Sequence, residues 1–211
     1  NLSFFRPEDA KKMPASGSFD SLIIADSSYT PTQEFMEKTE LGKMLSDFLP
    51  GLVNSSKPSL CISFGMEAVA ASHGIYPISI KDLTSKQVFN AGYYKMSITL
   101  SAETDQLFGN FLNEFTGAFM HRYFVPRIPK SGVKLTELNN HFLISAFRMG
   151  GSTYCVQWRP DHNKESMDES IKAHKEEGAM QGNGTRPLVY RPEFDEQNSR
   201  VLDSFLRMIC R

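Results

Sequence analysis

Hydrophobic positions change period near residue 100, and that change organises the chain. Residues 93–100 (YYKMSITL) alternate, so Tyr94, Met96, Ile98 and Leu100 share one face of an expected strand. Apolar residues then fall at 107, 108, 111, 112, 115 and 119, and this helical spacing predicts a helix over 104–124. Ser101 is its expected cap, with Glu103 and Asp105 in the first turn. A helix that follows a strand folds back to cover the sheet.

The same reading extends along the chain. Residues 1–18, with Pro7, Pro14 and Gly17, are an expected extended or disordered arm. Residues 19–26 (FDSLIIAD) predict a short buried strand. Residues 32–49 predict a helix carrying Leu41, Met44, Leu45, Phe48 and Leu49, ended by Pro50-Gly51. Residues 59–64 (SLCISF) alternate, with Leu60, Ile62 and Phe64 on one side; 66–72 fit a helix or a strand. Pro77 makes 75–80 an edge strand. Residues 141–149 and 152–159 read as a hairpin around Gly150-Gly151. Residues 161–177 predict an exposed helix or mobile insertion, 178–185 a flexible loop, 186–191 a last strand, and 194–209 an amphipathic helix.

Strands followed by a helix, twice over, give an α+β fold: antiparallel sheet segments, each followed by a covering amphipathic helix. The expected organisation is one domain over 19–211, with a polar, flexible insertion at 161–185. The helical stretches 40–52, 106–119 and 200–210 share a texture of Leu and Phe that any core-facing helix has. Over residues 59–211 the element order is similar to the Whirly-type single-stranded nucleic-acid-binding architecture, departing at 161–185.

Bulk properties narrow the function classes. The 211 residues are enough for a substantial core. With 23 basic and 24 acidic residues the net charge is −1, which excludes a uniformly basic nucleic-acid protein but not a local patch. No apolar run approaches the roughly 18 residues that span a bilayer. The start, NLSFFRPEDAKKMP, has no apolar signal core and no initiator Met, so removal of a leader or tag is expected. Three widely spaced cysteines, Cys61, Cys155 and Cys210, argue for an intracellular, reducing compartment. On that reading the sequons at Asn1, Asn54 and Asn183 are chance tripeptides.

Motifs of catalysis are sparse. The five histidines, 73, 121, 141, 162 and 174, lack ligand spacing, so no metal and no cofactor is expected. No G-x-S-x-G elbow is present. Ser131 and Lys134 match S-x-x-K inside a Pro/Gly connector, and Gly178, Gly182 and Gly184 lack the Lys-Ser/Thr of a phosphate loop. Asp168, Glu169, Glu176 and Glu177 alternate with Lys172 and Lys175 as on a solvated helix. An enzyme site would have to be assembled from distant residues such as Ser131, Lys134, Asp161 and His162.

One window stands out in charge. Residues 121–159 hold six basic residues and one acidic residue, Glu137, a net +5 that leaves −6 elsewhere. Aromatics are interleaved, with Tyr154 and Trp158 sharing a face of one strand. Basic side chains neutralise phosphates and rings stack on unpaired bases. The expectation is therefore a non-enzymatic single-stranded nucleic-acid-binding protein. Its contacts would be Arg122, Arg127, Lys130, Lys134, Arg148, Tyr154, Trp158 and Arg159. The alternative is a structural or assembly protein, a coat, scaffold or adaptor; in either case a homo-oligomer without membrane partners is expected.

Overall fold

Strand pairing shows how the apolar segments are used. The computed structural model describes residues 13–80, 90–138, 143–176 and 188–210. Its strands are β1 Leu22–Ile24, β2 Ser59–Ile62, β3 Ile78–Ser79, β4 Asn90–Ile98, β5 Glu114–His121, β6 Tyr123–Phe124, β7 Val133–Leu138, β8 Leu143–Met149 and β9 Thr153–Val156. The α-helices are α1 Gln33–Lys38, α2 Glu40–Asn54, α3 Phe64–Ser72, α4 Leu100–Glu103, α5 Lys164–Glu176 and α6 Glu193–Ile209. Seven strands form one sheet in the order β1-β2-β9-β8-β7-β4-β5; β3 and β6 make a separate antiparallel pair. From β9 to β5 the pairing is antiparallel, but β1, β2 and β9 run parallel. The α+β class holds; the sheet is mixed, and helices lie on both of its faces.

Alternation along the central strands divides the core. Leu60, Ile62, Tyr154 and Val156 face one cluster with Met96, Phe108, Trp158, Val201 and Phe205. Cys61, Cys155, Phe147 and Met149 face the other, under Leu45, Leu49 and Leu52 of α2 and Met66 and Val69 of α3. A third, smaller cluster sets Met167 of α5 against Tyr93 and Met120.

Several expectations are corrected. The helix expected over 104–124 is a set of turns around residues 104–112 followed by β5. Asp105 accepts hydrogen bonds from Leu107 N (2.9 Å) and Phe108 N (3.2 Å), fixing a turn that delivers Leu107, Phe108 and Phe111 into the core. The Whirly-type element order, which needed that helix, does not recur. Helix α2 does not stop at Pro50; it continues to Asn54, and the buried Leu52 and Val53 outweigh the hydrogen bond the proline cannot make. Strand β1 lies at the sheet edge with Ile23 41% exposed, rather than buried. Residues 188–191 form no strand. The hairpin β8–β9 and helix α6 match the sequence reading. Most of the expected arm (1–12) and the loop at 178–185 lie outside the described residues.

The edge at β5 is closed by side chains of α6. Gln197 accepts from Thr116 N (2.9 Å), and buried Asn198 accepts from Ala118 N (2.7 Å). The Asn198 amide nitrogen donates in turn to the carbonyls of Arg159 and His162, both at 2.7 Å. We predict that Asn198→Ala destabilises the fold by about 2–4 kcal/mol, because buried partners lose all three bonds. Asn198→Asp, which still accepts but no longer donates, should cost about as much. Urea melts of the two variants measure both; an aspartate variant as stable as wild type would show that the donor side is dispensable.

Candidate functional site

Three adjacent parallel strands end at one place. In open α/β sheets this C-terminal edge is where ligands bind. Beyond β1 stands Asp26, beyond β2 stands Ser63, and beyond β9 stand Gln157 and Arg159. Asp26, Ser63 and Arg159 border a cleft of about 560 Å³ lined also by Tyr29, Glu67, His121, Arg122, Tyr123 and His174.

Ser63 occupies the turn from β2 into α3 with φ 49° and ψ −103°. Among the described residues it is the one non-glycine with positive φ. Such a backbone costs of order 1–3 kcal/mol and persists only where its surroundings enforce it. Here Ser63 N donates to Val156 O (2.7 Å) and Ser63 O accepts from Glu67 N (3.1 Å). Gly65 permits the close approach of α3 to β1, since a Cβ there would lie 2.8 Å from Ile24 O. A strained strand-to-helix turn that presents a hydroxyl at a cleft is the geometry of a nucleophile elbow.

Charge around Ser63 is tightly organised. Asp26 Oδ1 accepts from Phe64 N (3.2 Å), and Asp26 Oδ2 accepts from Arg159 Nη1 (2.6 Å). The other edge of the same guanidinium grips Asp161, Nε to Oδ1 at 3.1 Å and Nη2 to Oδ2 at 2.8 Å. Burial pulls the Arg159 pKa down, but Asp161 and Asp26 outweigh it and raise it. Burial also pushes the Glu67 carboxyl up to about 8, opposed by its hydrogen bond from Gln157 (3.1 Å) and reinforced by the Asp26 charge. Burial pushes His121 down to about 3, so its imidazole is neutral at neutral pH. His162, beside Asp161, is lowered by burial and by Arg159. Cys61 and Cys155 are buried away from solvent on neighbouring strands, and burial with the Cys61 contact raises the Cys155 thiol. The elbow therefore presents a hydroxyl rather than a thiol. Among the described residues no cluster of three or more His, Cys, Asp or Glu could hold a metal ion.

The residues singled out from the basic, aromatic window disperse. Tyr154 and Trp158 are 1% and 0% exposed and pack in the core, so their rings cannot stack on bases. Lys134 pairs with Glu137 (2.8 Å) and Arg148 with buried Asp105 (3.0 Å). Arg127 and Lys130 are exposed on the connector. Only Arg122 and Arg159 reach the cleft. Ser131 and Lys134 do not line it, whereas Asp161 and His162 flank Arg159. Sequence reasoning missed Asp26, Ser63, Glu67, His121 and Gln157. The available signal was Cys61-Ile62-Ser63-Phe64-Gly65 after an apolar strand, which departs from G-x-S-x-G only at its first glycine.

No protein-family model and no curated protein matches the chain. Solved structures do. A glutamine amidotransferase from Thermotoga maritima is similar with a TM-score of 0.69 at 15% identity, covering 96% of this chain and 83% of that one. A glutamine amido transferase from Methylobacillus flagellatus is similar with a TM-score of 0.63 at 12% identity, covering 99% and 77%. A putative GMP synthase subunit from Thermoplasma acidophilum gives 0.52 at 16% identity, covering 76% and 77%. These likenesses overturn the expectation of a non-enzymatic, single-stranded nucleic-acid-binding protein, and with it the coat, scaffold or adaptor alternative. No helix among the described residues is long and apolar enough to cross a membrane. The chain is similar in fold to these three solved structures.

Proposed function

We propose that this protein is an acyl-transfer enzyme that cleaves a small carboxamide, as the names of its structural neighbours suggest, with Ser63 as the attacking group. One observation carries the reading: the positive φ of Ser63, held between β2 and α3 at the floor of a cleft. The Ser63 oxygen adds to the amide carbonyl carbon, and the adduct collapses with loss of ammonia to leave an acyl-serine. Water then releases the carboxylic acid and restores the hydroxyl. The serine proton leaves with the nitrogen. Arg159 remains a cation and Glu67 holds its own proton, so neither accepts it at neutral pH. Two imidazoles line the cleft, His121 and His174, and burial opposes proton uptake by His121. In place of nucleic acid, the partner on this reading is a synthase that consumes the ammonia, which the name of one neighbour, a synthase component, supports. The free thiols Cys61, Cys155 and Cys210 favour a reducing compartment.

Reactivity of Ser63 tests the proposal. Incubation with a fluorophosphonate should give a mass adduct on the peptide that contains Ser63, absent in Ser63→Ala. Ammonia release from L-glutamine should fall at least about 100-fold in the same variant. Wild-type protein that forms no adduct and releases ammonia no faster than Ser63→Ala would overturn it.

Glu67 supplies a pH prediction. Its folded-state value of about 8 lies above the ordinary 4.5, so the folded protein keeps a proton that the unfolded chain loses in this window. Stability is therefore full below the lower value and falls as pH rises through the upper one. Glu67→Gln cannot ionise, so between about pH 5 and 9 it should gain on the order of 2–4 kcal/mol relative to wild type. Urea melts across that range measure the difference; parallel pH slopes would mean that Glu67 is already ionised in the folded cleft.

A further inference from the structure

The carboxylate of Asp26 stands where the chemistry at Ser63 needs an empty place. Phe64 N is the first amide after Ser63, and in a nucleophile elbow this amide receives the oxyanion of the tetrahedral adduct. In this protein it is occupied, because Asp26 Oδ1 accepts from it at 3.2 Å. The second oxygen of the same carboxylate takes Arg159 Nη1 at 2.6 Å. A substrate oxygen arriving at Ser63 meets a fixed negative charge on the donors it requires.

Two features show why Asp26 rests there and how it can leave. The Ser63 side chain makes no capping bond to α3, so Asp26, far away in sequence, takes the place of a helix cap and is favoured by the helix dipole. Arg159 does not depend on Asp26 for its orientation, since Asp161 holds the opposite edge of the guanidinium through two bonds. If Asp26 withdraws, Nη1 and Phe64 N remain aimed at the vacated position. Asp26 follows the three-residue edge strand β1, and the next residues, Ser27 to Thr30, line the mouth of the cleft. Strand β1 before it has a sheet partner on one side only and residues 26–30 belong to no strand, so shifting them breaks little of the sheet.

We propose that Asp26 is an internal plug: its carboxylate holds the anion position of the cleft shut, and a substrate carboxylate or oxyanion must displace it. The proposal rests on the acyl-transfer reading for its purpose, but the plug can be measured without catalysis. Formate is the probe, a carboxylate small enough to replace the aspartate group. In Asp26→Ala, about 100 mM sodium formate should raise the melting temperature by a few degrees over sodium chloride at equal ionic strength. Wild type should show no such difference. Asp26→Ser is too short to fill the anion position; it is read in the same way and covers the case in which the alanine variant does not fold. A formate effect confined to the variants supports the plug; equal response to formate and chloride in both variants overturns it.

Fluorophosphonate labelling of Ser63 separates the two ideas. Labelling should be at least roughly tenfold faster in the Asp26 variants, since an oxyanion donor becomes free, and formate should slow it again. Labelling of wild type with no acceleration in the variants overturns the plug and leaves the Ser63 reading standing. A formate effect without labelling of any form overturns the Ser63 reading and leaves the anion position.

Discussion

The backbone of Ser63 is the constraint on which the site depends. A residue with a side chain holds φ near +49° only when both of its peptide groups are tied, and here each is. The amide is tied to Val156 on β9 and the carbonyl to Glu67 in the first turn of α3. Those ties exist because β2 lies between β1 and β9 and α3 packs directly over it. Parallel pairing therefore has a specific effect: it brings the ends of three strands, separated widely in sequence, to one edge. An antiparallel arrangement of the same segments would have sent Asp26 or Arg159 to the opposite end of the sheet.

The far edge of the sheet contributes by holding β9's continuation in place. Asn198 on α6 joins the β5 amide of Ala118 to the carbonyls of Arg159 and His162, while Arg159 N donates to Ala118 O (2.7 Å). The chain after β9 is thus pinned by backbone and side-chain bonds on both sides of Arg159. A long side chain such as arginine is well positioned only if its backbone is, and two carboxylates then fix its guanidinium. One asparagine couples protection of a sheet edge to the placement of the principal cation of the cleft.

Much of the architecture was legible because it obeys simple periodicity. The β8–β9 hairpin announced itself by two alternating runs around Gly150-Gly151, and α6 by a sustained helical stripe. The failure over 104–124 is instructive. Leu107, Phe108, Phe111 and Phe115 have helical spacing yet reach the same core from turns and a strand, because Asp105 organises the turn and tilted and edge-on ring contacts run in series from Phe108 through Phe111 to Phe115. Periodicity reported the burial of these four correctly and its backbone cause wrongly, and it misplaced Leu112, which is exposed. The basic, aromatic window failed for a different reason: charge counted along the chain ignores partners, and Glu137 and Asp105 already neutralise Lys134 and Arg148. The site itself was nearly silent. Its one trace in the sequence is the partial elbow pattern around Ser63, while the backbone angle and the meeting of strand ends leave none.

Charge balance in the cleft ties these pieces together. Arg159 carries one positive charge and faces two carboxylates, Asp26 and Asp161, so the cluster has no spare cation for a further anion. Glu67, next to Asp26, responds mainly to its burial, and then to that excess, by keeping its proton. A third anion entering beside Asp26 and Asp161 would meet their repulsion. Exchange avoids the penalty, because an incoming carboxylate or oxyanion that takes the place of Asp26 leaves the local charge unchanged while Asp26 moves towards water at the mouth of the cleft. The same arithmetic explains why the resting fold tolerates a strained elbow: the carboxylate that blocks Ser63 also caps the helix that Ser63 begins.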